Sequence, residues 1–159
     1  MVTPSRERGK VDLIAAERMA RKLMLEHGLY GWNFKWDNAA RRFGQCNYST
    51  STISMSRRLT VQRTEDAVRN TILHEIAHAL TPGAGHGPRW RAKALAIGCN
   101  GKRCSDDSVE VKPNWIGKCP KGHMAGTRLR RPSANARPRS CGKCSPVYNP
   151  AYLISWVPA

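Results

Sequence analysis

The stretch TILHEIAHAL, Thr71 to Leu80, sets two histidines four residues apart with a glutamate directly after the first. On a helix, residues four apart share a face, so His74 and His78 can present imidazole nitrogens to one ion. Glu75 then lies about 100° further round. It is near such an ion without being forced to ligate it, which suits a general base acting on water. The helix carries a second stripe: Val68, Ile72, Leu73, Ile76 and Leu80 form an apolar face that packs into a core whatever the histidines do. Thr64 is a suitable N-cap, and Glu65 and Asp66 in the first turn complement the helix dipole. The helix therefore runs from Thr64 through Leu80 and stops before Pro82-Gly83.

A catalytic zinc takes three protein ligands and keeps one position for water. A third histidine six residues after His78 is excluded, because that position is Ala84. The acidic residues downstream, Asp106, Asp107 and Glu110, lie beyond the next helix. His86 is better placed. It follows a glycine-rich turn that lets the chain fold back, and it precedes Pro88, a good first residue for a helix ending near Gly98. The alternative is an ordinary loop histidine.

Upstream, residues 11–28 read as a helix with the stripe Leu13/Ile14, Ala16/Ala20 and Leu23/Met24, stopped by Gly28. Trp32, Phe34 and Trp36 alternate with polar residues as in a strand. FGQCNYS and TISMS give two further short strands, and RRLTVQRT a connector. The fold class expected is α+β, with helices packed on a small antiparallel sheet from residues 32–56. The predicted domains are 1–110 and 111–159, since Pro, Gly, Arg and Cys dominate from about Lys112.

The chain has 27 Lys+Arg against 11 Asp+Glu, a formal charge of +16. The excess is uneven: residues 64–110 carry 6 basic and 6 acidic residues, whereas residues 111–159 carry 9 basic and no acidic ones. Such a balance favours polyanionic partners and is permissive rather than specific. The N-terminal MVTPSRERGK leads into no apolar run of signal-peptide length, and no segment has the length of a membrane span. The expected location is cytoplasmic, with nucleoid association compatible with the charge, no membrane partner, and a monomer. In a reducing compartment six cysteines read as metal ligands or free thiols rather than as a disulfide framework.

Four residues of the tail have metal-ligand spacing. Cys119 and His123 form a C-x3-H pair, and Cys141 and Cys144 a C-x2-C pair, with seventeen residues between His123 and Cys141. They predict one closed, structural Cys3His zinc site. Between the pairs lie Arg128, Arg130, Arg131, Arg137 and Arg139. A unit this small has little core, so these arginines point to solvent or to phosphates, which position DNA without specifying sequence. Trp115, Tyr152 and Trp156 fit a small core better than a base-stacking role. Cys46, Cys99 and Cys104 are compatible with a second metal site or a disulfide, and read best as structural thiols.

Together HEIAHAL, HGPRW and a basic Cys-containing tail resemble the SprT-like metalloproteases, over roughly Val11 to Trp156. The most specific matches are His74, Glu75, His78, His86, Gly87, Pro88 and Trp90. The resemblance implies zincin-like helices on a sheet and a β-rich C-terminal zinc ribbon. It implies three histidine ligands to a catalytic zinc, Glu75 as general base and a second, structural zinc. It further implies an endopeptidase acting on DNA-bound or DNA-crosslinked protein, with single- or double-stranded DNA as a sequence-neutral partner. Two departures stand out: only seven residues separate His78 from His86, and His123 stands where the family's ribbon usually has cysteine. The competing reading is a non-catalytic DNA-binding ribbon protein that uses the metalloprotease-like domain as scaffold; such a domain would have no need of Glu75.

Overall fold

The computed structural model describes residues 11–105, 107 and 109–159. The chain divides into two compact units, Met1–Val109 and Glu110–Ala159.

The first unit contains α1 (Leu13–Glu26), β1 (Asn33–Asp37), β2 (Gly44–Asn47), β3 (Thr52–Ser56), α2 (Arg57–Thr60), α3 (Glu65–Leu80) and α4 (Pro88–Ala96). Asp12 caps α1 by accepting from the Ala15 amide, and Ala16, Ala20, Leu23 and Met24 form its buried face. Ile14, expected in that stripe, is 70% exposed. Two residues from Ala16 is about 200° of turn, which puts Ile14 on the solvent side.

α3 is the central element. Thr64 accepts from the Ala67 amide, and Glu65 and Asp66 occupy the first turn as the dipole prefers. Val68, Ile72, Leu73 and Ile76 are fully buried against Phe34, Ile53 and Met55 of the sheet, α1, and Trp90 and Ala94 of α4. Each such side chain contributes about 2 kcal/mol by leaving water. The core thus fixes the helix that carries the HEIAH residues.

The sheet has the order β1-β3-β2. It is mixed rather than antiparallel: β2 and β3 form an antiparallel hairpin, but β1 pairs with β3 in parallel, Phe34 opposite Ile53. The reason is the loop between β1 and β2, which wraps the end of β3. Ser56 Oγ donates to the Ala39 carbonyl at 2.6 Å, and the Ser56 amide to Phe43 at 2.8 Å. The RRLTVQRT connector also holds a helical turn, α2, capped by Ser56 and anchored by buried Leu59.

The second unit is a three-stranded antiparallel sheet of β4 (Trp115–Lys118), β5 (Met124–Arg128) and β6 (Ser155–Pro158), in the order β5-β4-β6. The apolar YLISW stretch, residues 152–156, is only partly a strand: Pro150–Tyr152 form a 3-10 turn, capped by Asn149 accepting from Ala151, and β6 begins at Ser155. Gly117 packs tightly, since a Cβ there would stand 3.0 Å from Ile154 and 3.1 Å from the Trp156 ring. Among the described residues, no helix of the chain is long and apolar enough to cross a membrane.

Candidate functional site

His74 and His78 project from α3, and His86 from the turn before α4. Their Nε2 atoms converge: 3.0 Å between His74 and His86, 3.1 Å between His78 and His86, and 3.3 Å between His74 and His78. A zinc ion with tetrahedral ligands at about 2.05 Å sets nitrogens about 3.3 Å apart, so the donor set fits such an ion. Three imidazole lone pairs aimed at one point would otherwise repel. Burial, then the neighbouring histidines, hold His74 down at about 4, with a hydrogen bond to the Lys102 backbone pulling the other way. Burial and His86 hold His78 at about 4 as well. His86 is lowered by burial and by Arg103. All three shifts favour the neutral imidazole that a metal ion requires of a histidine ligand. Trp90, 1% exposed, underlies all three rings, with centroids 4.6 Å from His74, 5.2 Å from His78 and 4.7 Å from His86.

Glu75 lines the same cleft as the three histidines and is 7% exposed. Burial pushes its carboxyl up to about 7, against the pull of Arg42. Gly44 of β2 makes the space for it. A Cβ at Gly44 would stand 2.9 Å from Glu75 Cγ and 3.1 Å from Oε1. Gly44 is not in the left-handed region, so alanine fits its backbone and the conflict is with the carboxylate alone. Gly44→Ala is expected to keep the fold but displace the Glu75 side chain, so that any turnover in which its carboxyl moves a proton slows at least about tenfold, because small misplacements of a reacting group are costly. A variant with wild-type turnover would show that the position of Glu75 is not critical.

The residues border a cleft of about 530 Å³, within the range of small ligand sites. β2 forms one wall, from Gly44 beside Glu75 to Cys46, and Tyr48 just beyond it donates to the His78 carbonyl. Cys46 faces this cleft, but burial and the Glu75 charge push its thiol up to about 12, so it is not a thiolate near neutral pH. Burial likewise raises the Cys99 thiol, whereas Cys104 is exposed at the cleft.

Arg63 was not singled out by sequence. Its guanidinium is 2% exposed and ties both walls together. It donates to Asp107 at 2.6 Å, to Thr71 Oγ1 at 2.7 Å and to Ser105 Oγ at 3.1 Å, and it stacks 3.9 Å from the Phe43 ring centroid. Arg63→Ala is expected to destabilise the first unit by about 3 kcal/mol in urea unfolding, with lysine restoring only part, because a planar fork serves several partners at once. A change below about 0.5 kcal/mol, the usual size for surface sites, would refute this role.

In the second unit, one ligand atom from each of Cys119, His123, Cys141 and Cys144 lies within 4.8 Å of the others. Cys119 Sγ is 3.8 Å from Cys144 Sγ, and His123 Nδ1 is 3.2 Å from Cys144, 3.6 Å from Cys119 and 3.7 Å from Cys141. Sulfurs at about 2.3 Å from a tetrahedral zinc stand about 3.8 Å apart, which again fits. The Cys119 thiol is below the ordinary range: burial raises it, but backbone hydrogen bonds at His123 and Lys121 together with side-chain hydrogen bonds from Cys144 and Cys141 outweigh burial. Arg130, Arg131, Arg137 and Arg139 are exposed, and Arg128 is half-buried. Arg128 stacks 4.4 Å from the Trp156 ring and Arg131 5.6 Å from the Trp115 ring. Trp115, Tyr152 and Trp156 are half-buried.

Residues 15–111 match the SprT-like family. Over 129 residues the chain is 28% identical to the germ cell nuclear acidic-1 protein of Caenorhabditis elegans, an overlap of 71% of this chain. The chain spans 23% of that relative's length. The crystal structure of the metallopeptidase zymogen of Methanocaldococcus jannaschii, jannalysin, overlaps 61% of this chain and 86% of its own, with 14% identity and a TM-score of 0.47. The family match takes in α3, His86 and α4, together with the walls of the cleft around them, and covers more than half of the residues. The chain belongs to the SprT-like family.

Proposed function

We propose that the chain is a zinc-dependent endopeptidase acting on DNA-bound or DNA-crosslinked proteins. The observation that carries the reading is the convergence of the His74, His78 and His86 Nε2 atoms in a cleft that the buried Glu75 also lines. His74, His78 and His86 would hold the catalytic zinc; when bound, it lowers the pKa of water and polarises a carbonyl. Glu75 takes a proton from the attacking water at its carboxylate and delivers it to the leaving amine nitrogen. Its position near pH 7 suits both transfers. β2 lies at the edge of its sheet, so its outer side is open to pairing with an extended substrate.

Cys119, His123, Cys141 and Cys144 would hold a structural zinc in a closed ribbon. The DNA contact rests on the charge of residues 111–159 and on the exposed Arg130, Arg131, Arg137 and Arg139, with Arg128 beside them. Contacts of this kind bind phosphates without reading bases.

Elemental analysis of the wild type and of His86→Ala tests the reading. Near two zinc per chain, falling to one in the variant together with loss of cleavage of an unfolded protein substrate, is expected. A wild-type value near one that is unchanged in the variant would leave only the ribbon metallated and overturn the peptidase.

A further inference from the structure

The cleft is charged at one end. Arg41 and Arg42 line it from the loop leading into β2, and Lys102 and Arg103 from the segment after α4. Arg63 brings these two segments to the same end. It stacks on Phe43, next to Arg42, and donates to Ser105, two residues past Arg103. Arg41, Arg42 and Arg103 are exposed. Arg42 pairs with Asp37 at 2.8 Å, outside the lining, yet its charge still reaches Glu75, while that of Arg103 reaches His86. None of the lining residues from Gly44 to His86 along the chain, Tyr48 and His78 among them, is a lysine or arginine. Among the described residues of the lining, the only carboxylate belongs to Glu75 itself.

The open strand gives this asymmetry a direction. β2 starts beside Glu75 at Gly44, and Tyr48 just past its end reaches His78. A polypeptide laid along its free edge passes the histidine cluster and meets the arginines with residues on one side of the scissile bond only.

We propose that the basic end of the cleft is a specificity subsite that selects polypeptide segments carrying Asp or Glu on one side of the scissile bond. The proposal rests on the peptidase reading above. Guanidinium forks recognise carboxylates in bidentate geometry, and a cleft lined by one sign of charge concentrates the opposite sign. The same charge repels basic segments. Residues 111–159, with 9 basic and no acidic residues, are therefore a poor substrate for the enzyme's own cleft.

The test uses the zinc-loaded full chain and fluorogenic peptides of one neutral core, with Asp residues N-terminal to the scissile bond, C-terminal to it, or absent, and with Lys in their place. One Asp placement, and not the other, is expected to raise kcat/KM at least about tenfold over the neutral peptide, with the gain shrinking as salt is added. In the Arg41→Glu/Arg103→Glu double variant the preference should pass to the Lys peptide. Arg18→Glu, the same charge change on the exposed side of α1, should leave the preference in place. Equal rates for all peptides, or equal gains on both sides, would overturn the subsite and leave the peptidase standing. No cleavage of any peptide would remove the peptidase reading itself. Competitive inhibition by a short oligonucleotide, lost in the double variant while Asp peptides fare no better than neutral ones, would assign the basic end to nucleic acid and overturn the proposal. Should the double variant fail to fold, the wild-type comparison of the two Asp placements decides alone.

Discussion

Glu75→Gln is expected to lose about a thousandfold in peptide cleavage while keeping both metals and the fold. Glutamine has nearly the shape of the carboxylate, so it fits the space that Gly44 leaves by having no Cβ. The stability of the metal-stripped protein gives the sign of a second effect. Burial raises the Glu75 carboxyl from 4.5 to about 7, so the folded chain binds the extra proton between those values. Stability from this group is complete below pH 4.5 and is lost as pH rises through 7. Above pH 7 the wild type therefore carries a buried charge that the glutamine variant lacks, and the stripped variant should melt no lower there. Retained cleavage would place the base elsewhere. Loss of the metal on His74, His78 and His86 would make Glu75 part of the ligand set instead. Elemental analysis and a single-turnover assay on one preparation separate these outcomes.

Cys141→Ser is expected to unfold the second unit and leave the first intact. Among the described residues of Glu110–Ala159, the only buried hydrophobic side chains are Cys119 and Cys141 themselves. With so little apolar area, the strands have no reserve to offset their ordering entropy. A structural zinc supplies roughly 10–16 kcal/mol in small domains of this kind, and the serine variant removes one of its thiolates. Hydrogen exchange should show β4, β5 and β6 losing protection while α3 keeps it, with one zinc fewer per chain. Protection retained across β4–β6 would mean that the sheet stands without metal. On the proposed DNA contact, affinity for DNA should fall with the fold of the unit, since a disordered chain no longer holds its arginines in fixed positions.

The parts of the site that sequence made legible are local. His74 and His78 share one helical face by spacing, Thr64 marks the helix start, and His86 follows within twelve residues of His74. The parts that escaped are set by distant residues. Arg63 looks like one more surface charge in RRLTVQRT, because its partners Ser105 and Asp107 lie 42 and 44 positions away. Gly44 reads as a strand glycine until Glu75 is placed against it. The parallel pairing of β1 with β3 depends on Ser56 tying down the Ala39–Phe43 loop, a contact with no periodic signature. The helical turn α2 is only four residues long, too short for a 3.6-residue pattern to register.

One contact makes the centre visible from outside. The Trp90 indole lies within about van der Waals reach of three imidazoles and is 1% exposed, shielded from solvent quenchers. Its emission is thereby a lamp wired to the metal position. A closed-shell ion there would leave the lamp lit, whereas cobalt or copper in the same place would drain it by energy or electron transfer. Exchange of a closed-shell ion for cobalt or copper thus becomes readable as a fall in emission, in a variant that keeps Trp90 and lacks the other four tryptophans.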